Sequence, residues 1–215
     1  MKREKRKQIC IAIGLLAAFA LWTALVVMVD VRAIGPLGSS VGLSALNGAF
    51  HRLTGVHMSL YVLTDWLSLV PAGFMLGFAC LGLVQWIRRG RIALVDCSIL
   101  MLGGFYAVVM AAYVWFEAFV VNHRPVLIEG VLEASYPSST TMLVLCVMPT
   151  AMMQINRRIR PSALRRCMLW SMEAYTAGMV VLRLVSGVHW LSDIIGGILL
   201  SAGLVLLYGA CSARE

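Results

Sequence analysis

The chain has 215 residues, of which 60% are hydrophobic and 13% charged, with a formal net charge of +8. So few charges and a mean hydropathy of +0.87 exclude a soluble domain, where about a quarter of residues are charged. The basic excess sits in a few short segments between apolar runs, so it reads as membrane topology and no nucleic-acid partner is expected.

Apolar runs near twenty residues predict membrane-spanning helices. Six occur, at about 9–29, 59–87, 93–121, 138–154, 168–185 and 190–208. The expected fold class is therefore all-α: a polytopic membrane protein of six transmembrane helices, forming one domain over residues 1–215. The first run, of about 21 residues, exceeds the roughly 7–15 of a signal-peptide core, so an uncleaved span is expected. Between the first and second runs, Leu43, Leu46, Phe50 and Leu53 recur at helical spacing. They predict a short helix that either lies in the membrane interface or packs on the bundle. Asp65, inside the second run, either pairs with a site arginine or caps a break in the helix.

Orientation follows from Lys and Arg. The N-terminal "MKREKRKQ" carries five, "RRGR" at 88–91 three, "NRRIRPSALRR" at 156–166 five, and Arg214 one. With six spans these fourteen of eighteen basic residues share one side, expected to be the cytoplasm of a plasma-membrane protein with both termini inside. All six cysteines then fall within spans or on that side, so no disulfide framework is expected. No metal-ligand spacing or Gly-rich phosphate loop occurs, and no cofactor is expected.

The opposite, outer side collects His51, His57, His123 and His189, with Arg124, Arg183 and Asp193 near span ends. Ionisable groups at membrane depth are functional candidates. In "LRLVSGVHWLSD" (182–193) Arg183 ends span five, Gly187 allows a turn, and His189 opens span six. Asp193, four residues on, shares a helix face with His189. It can accept the imidazole N–H and leave the other nitrogen as a nucleophile, or the two can simply hold a helix end. In "NHRPVL" (122–127) Arg124 precedes Pro125, which stops the helix, and two guanidinium groups suit a phosphate. "LEASYPSSTTM" (132–142) places Pro137, Ser138, Ser139, Thr140 and Thr141 where span four begins. This is capping chemistry, and the outward N-terminus with its hydroxyls is also an anion site of the phosphate type.

"RP", "PSST" and "RLVSGVHWLSD" together resemble the type-2 phosphatidic acid phosphatase (PAP2) superfamily of integral-membrane lipid phosphatases. That family's pattern is K-x6-RP, then PSGH, then SR-x5-H-x3-D. Arg124 and Pro125, Pro137 and Ser138, and Arg183, His189 and Asp193 match it in order and spacing. The resemblance implies a PAP2-like helical bundle and a lipid phosphate or diphosphate substrate. It also implies His189 as nucleophile, oriented by Asp193, arginines that bind phosphate, a phosphohistidine intermediate and no metal.

Three positions depart from the pattern. Glu117 stands for its Lys, Leu182 for its Ser, and Thr140 for its first histidine, the general acid. Losing such an acid costs about 10²–10⁴ in rate. A diphosphate leaving group needs a proton less than an alkoxide, so an isoprenyl diphosphate is the expected substrate. His123 and Glu117 are the candidates to supply the missing proton, although Glu117, on the face of Arg124, also suits simple pairing with an arginine. A catalytically impaired protein that binds or transports lipid phosphates is the alternative.

Overall fold

Each apolar run folds as helix in a computed structural model that describes residues 2–212. Arg214, counted above with the basic segments, lies outside the described residues. The helices are α1 (Lys2–Met28), α2 (Ser44–Thr54), α3 (Met58–Leu67), α4 (Leu69–Arg89), α5 (Cys97–Ala118), α6 (Ser139–Arg158), α7 (Ala163–Val185) and α8 (Leu191–Ser212).

Among the described residues, four stretches are long and apolar enough to cross a membrane: Arg3–Met28, Met58–Arg89 (α3 with α4), Cys97–Ala118 and Leu191–Ser212. α6 and α7, which hydropathy alone also marks as spans, are as long but more polar. α6 carries Thr140, Thr141, Thr150 and Gln154, and α7 carries Glu173 and Arg183. For α6 the reason is position, since it packs against α4, α5, α7 and α8 at once. A helix shielded from lipid can hold polar groups if neighbours satisfy them. Thr150 bonds the Cys146 carbonyl at 2.8 Å and faces the Tyr106 hydroxyl at 3.2 Å. Gln154 donates to the Ser98 carbonyl and, at 2.9 Å, to the Tyr208 hydroxyl.

The apolar core divides along α6. Met142, Cys146 and Val147 meet Leu102, Phe105 and Val109 of α5 and Leu200 and Tyr208 of α8. Val144, Met148 and Ala151, on its other face, meet Met172 and Met179 of α7. α1 lies along α8. At Gly203 a Cβ would come within 2.8 Å of the Leu16 side chain, so only glycine allows this approach.

The second apolar run is interrupted at Ser68. Pro71 has no N–H for the Leu67 carbonyl four residues back. The Tyr175 hydroxyl of α7 takes that carbonyl instead, at 2.8 Å, as freed backbone groups at membrane depth require. Ser68 closes the turn by donating its hydroxyl to the Asp65 carbonyl at 2.5 Å. So Asp65 caps the break through its backbone. The turn leaves α3 against α7, with Thr64 and Tyr61 on Arg183.

Candidate active site

Three chain segments meet where α7 gives way to α8. The first is a hairpin-like loop before α6, in which His123 pairs with Ala134. The Arg124 N–H donates to the Glu133 carbonyl at 3.0 Å and the Ser135 N–H to the Asn122 carbonyl at 2.9 Å. The second is the start of α6. Its cap residue Ser138 accepts from the Thr141 N–H at 3.5 Å and donates its own N–H to the Asp193 carbonyl at 3.1 Å. The third is the turn Ser186–Trp190. There Gly187 has φ 69°, and a Cβ would lie 1.9 Å from the Gly55 carbonyl oxygen. Both the backbone angle and the clearance demand glycine.

His189 leaves this turn buried. Its Nδ1 lies 3.7 Å from Asp193 Oδ2 and its Nε2 lies 3.5 Å from Arg124 Nη1. The spacing expectation was an imidazole N–H bonded to the carboxylate. The two groups do face each other, but beyond hydrogen-bond distance, and Nδ1 has no hydrogen-bond partner. Asp193, 0% exposed, is held by other donors. Its Oδ2 accepts from the Ser135 hydroxyl and, at 2.9 Å, from the Trp190 N–H. The second bond is the reach-back of a helix's third residue to its cap. Its Oδ1 lies 3.4 Å from both Asn122 Nδ2 and Ser192 Oγ. One carboxylate thus both holds the start of α8 and faces His189.

The arginines come together on one ring. The guanidinium carbon of Arg183 lies 4.8 Å from the Tyr61 centroid and that of Arg124 5.7 Å. Arg183 is 1% exposed and donates from Nη1 to Thr64 Oγ1 at 3.1 Å, while its Nε has no hydrogen-bond partner. Arg124 Nε lies 3.0 Å from Glu133 Oε2, an ion pair out of line for a hydrogen bond. The carboxylate beside Arg124 is thus Glu133, where spacing had pointed to Glu117.

A narrow cleft of about 10 Å³ opens beside His189, bordered by Tyr113, Glu117, Ser135, Pro137 and Ser139. Of the two candidate proton donors, Glu117 lines this cleft. His123 does not, and it contributes its carbonyl to Trp190 Nε1 at 2.7 Å. Thr140 lines an adjoining apolar slot with Ser68, Met110 and Leu143, and the two hollows share Tyr113, Ser139 and Met142. Thr141 Oγ1 is buried without a hydrogen-bond partner.

Burial, and then the positive charges of Arg124 and Arg183, hold His189 well below the ordinary imidazole value of 6.5. The ring is therefore neutral near pH 7. Nδ1 faces Asp193 and Nε2 faces Arg124, so a carboxylate stands on one side of the ring and a guanidinium group on the other. Tyr61, Asn122 and Ser135 complete the arrangement, and no spacing pattern in the sequence marks them.

Residues 115–215 match the family model of the PAP2 superfamily. Among solved structures, the fold is similar to the crystal structure of a transmembrane PAP2-type phosphatidylglycerolphosphate phosphatase from Bacillus subtilis. The identity is 19% and the TM-score 0.52, covering 95% of this chain and 96% of that one. A search of curated proteins finds no match. The C-terminal part of the chain, residues 115–215, is thus similar to the PAP2 superfamily, and the fold over nearly the whole chain is similar to that of a PAP2-type membrane protein.

Proposed function

We propose that the protein is a membrane lipid phosphatase that removes the terminal phosphate of a lipid diphosphate, most favourably an isoprenyl diphosphate. The site faces the outside of a six-span plasma-membrane protein whose termini are cytoplasmic. One observation carries this reading: a buried, neutral His189 with Nε2 3.5 Å from Arg124, which shares the Tyr61 ring with Arg183. Nε2 attacks the terminal phosphorus and the bond to the bridging oxygen breaks, leaving a phosphohistidine and a lipid monophosphate. Water then attacks the phosphohistidine, releasing inorganic phosphate and restoring the imidazole. Asp193 supports the charge that develops on the ring, and the start of α6 offers N–H groups to phosphate oxygens.

The leaving oxygen decides the substrate class. Thr140 cannot protonate it, and Glu117 is the carboxyl that borders the cleft with His189. A lipid phosphate leaves without much help, whereas an alkoxide does not. The Bacillus subtilis neighbour's name makes phosphatidylglycerolphosphate the alternative substrate. A second reading, binding without hydrolysis, is favoured by Thr140 itself, which lies in an apolar slot with no titrating acid in its place.

Phosphate release by purified protein from matched isoprenyl diphosphate and monophosphate tests both readings, with His189→Ala and Thr140→His alongside. Release that favours the diphosphate and vanishes in His189→Ala supports the phosphatase. No release from the parent, with activity appearing in Thr140→His, establishes the binding protein instead. A faster rate on the monophosphate would rule out the diphosphate preference.

A further inference from the structure

The segment between α1 and α3 has its amphipathicity reversed. On α2, Ser44, Asn47 and His51 share the face turned to the protein; Ser44 and Asn47 are buried and His51 half-buried. Leu46, Ala49 and Leu53 share the opposite face, with Leu53 83% exposed and Leu46 44%. A helix bathed in water would carry its polar residues outside. This one suits a nonpolar surrounding.

Two observations name that surrounding as lipid. The segment runs directly from one membrane-crossing helix, ending at Met28, into another, beginning at Met58, so it lies at the membrane surface. Its exposed apolar residues continue those at the helix ends, with Met28, Val29 and Val31 on one side and Val56 and Met58 on the other. Between them, Leu37 stands 80% exposed. Arg32 and Arg52, both exposed, suit lipid phosphates at the same depth.

The polar face is tied to the site. Asn47 donates to Ser192 Oγ at 2.9 Å and accepts from the Ser192 N–H at 3.1 Å. The Gly42 N–H donates to Asn122 Oδ1 at 3.2 Å. Ser192 and Asn122 are the two side chains beside Asp193 Oδ1. The His57 N–H bonds the Ser186 carbonyl at 2.9 Å, and the His51 ring lies 5.4 Å from Trp190. The segment therefore touches the turn that carries His189 and both neighbours of Asp193 Oδ1.

We propose that residues 29–57 form a lipid-seated cover. Leu46, Ala49 and Leu53 enter the lipid monolayer that surrounds the site, and Asn47 transmits that seat to Ser192 and Asp193. The lipid seat stands on its own, while the role of Asn47 rests on the phosphatase reading. Membrane seating and catalytic geometry are then one equilibrium, so the site is best ordered when the cover is in lipid.

Two arms test this, with protein in phosphatidylcholine vesicles. In the first, the emission that Leu53→Trp adds over the parent is measured with mid-chain brominated phosphatidylcholine and with aqueous iodide. Quenching by the brominated lipid and not by iodide is expected. Quenching by iodide alone, or by neither with a cross-linkable dimer, overturns the lipid seat. In the second, Leu46→Ser with Leu53→Ser is expected to raise KM about tenfold for lipid substrate, leaving a short-chain water-soluble phosphate ester unaffected. Asn47→Ala is expected to lower kcat on both substrates with KM unchanged. Unchanged kcat in Asn47→Ala overturns the link to Asp193. A parent that hydrolyses nothing removes the phosphatase reading, and the fluorescence arm still decides the seat.

Discussion

Arg183 gives up nearly all its water and receives in return a neutral hydroxyl from Thr64 and the face of Tyr61. A buried cation with so little direct compensation is costly, and a second guanidinium on the same ring adds repulsion. Under the proposed function both costs would fall on binding a phosphate, whose negative charge compensates the two guanidinium groups. The same charges act on His189. Its pKa is lowered, so the neutral ring persists below pH 6.5. In the unfolded chain the imidazole takes a proton through that range. Stability is therefore full above pH 6.5 and declines as pH falls toward the folded value. Phosphate release should then show no acid limb near 6.5, only one well below it. A pH–rate profile with a limb at 6.5 would mean that the imidazole is not held in this way. Arg183, His189 and Asp193 were legible from spacing because the helix end, turn and helix start that bear them are local, while Arg124 was marked by the adjoining Pro125 and meets His189 from 65 residues away. Tyr61, Asn122 and Ser135 reach the site only through packing between distant segments, and no periodicity encodes that.

Hydropathy treats residues 59–87 as one run because Pro71 and Ser68 barely lower its average. Backbone bonding treats them differently, and the helix breaks at the carbonyl that Pro71 cannot serve. Tyr175 is the compensating donor, 108 residues away, and sequence gives no sign of it. Tyr175→Phe removes that donor while keeping the ring. It should cost about 1 kcal/mol, read as a lowered midpoint of thermal unfolding in detergent. An unchanged midpoint would mean that water or another group serves Leu67 equally well. Helices α6 and α7 are the more polar of the long helices. Gln154 of α6 is satisfied inside the bundle by Ser98 and Tyr208, whereas Arg183 of α7 keeps an unpartnered Nε.

Across the whole molecule, the apolar runs foretold helices over every predicted stretch, but not their neighbours. α1 and α8, the first and last long helices in the chain, lie side by side. Gly203 meets Leu16, and the Trp22 indole donates to the Ser192 carbonyl at 3.0 Å. The Thr23 and Tyr136 hydroxyls lie 2.7 Å apart. Tyr136 in turn fills the space over Gly196, where a Cβ would meet its ring at 2.7 Å. Gly203→Leu should force α1 away, lower the thermal midpoint and weaken activity together, since Trp22 and Tyr136 lie next to the site segments. Full activity in that variant would show that α1 is dispensable to the site.

That pairing has a consequence for how the chain is made. Synthesis delivers α1 to the membrane well before α8, so the face of α1 around Ala12 and Leu16 waits for Gly203 until α8 emerges. α1 and α8 are far apart in sequence, and such non-local pairings form slowly. A ribosome that stalls before Leu191 leaves that face of α1 uncovered, with only contacts such as Phe19 against Phe116 of α5 to hold the helix.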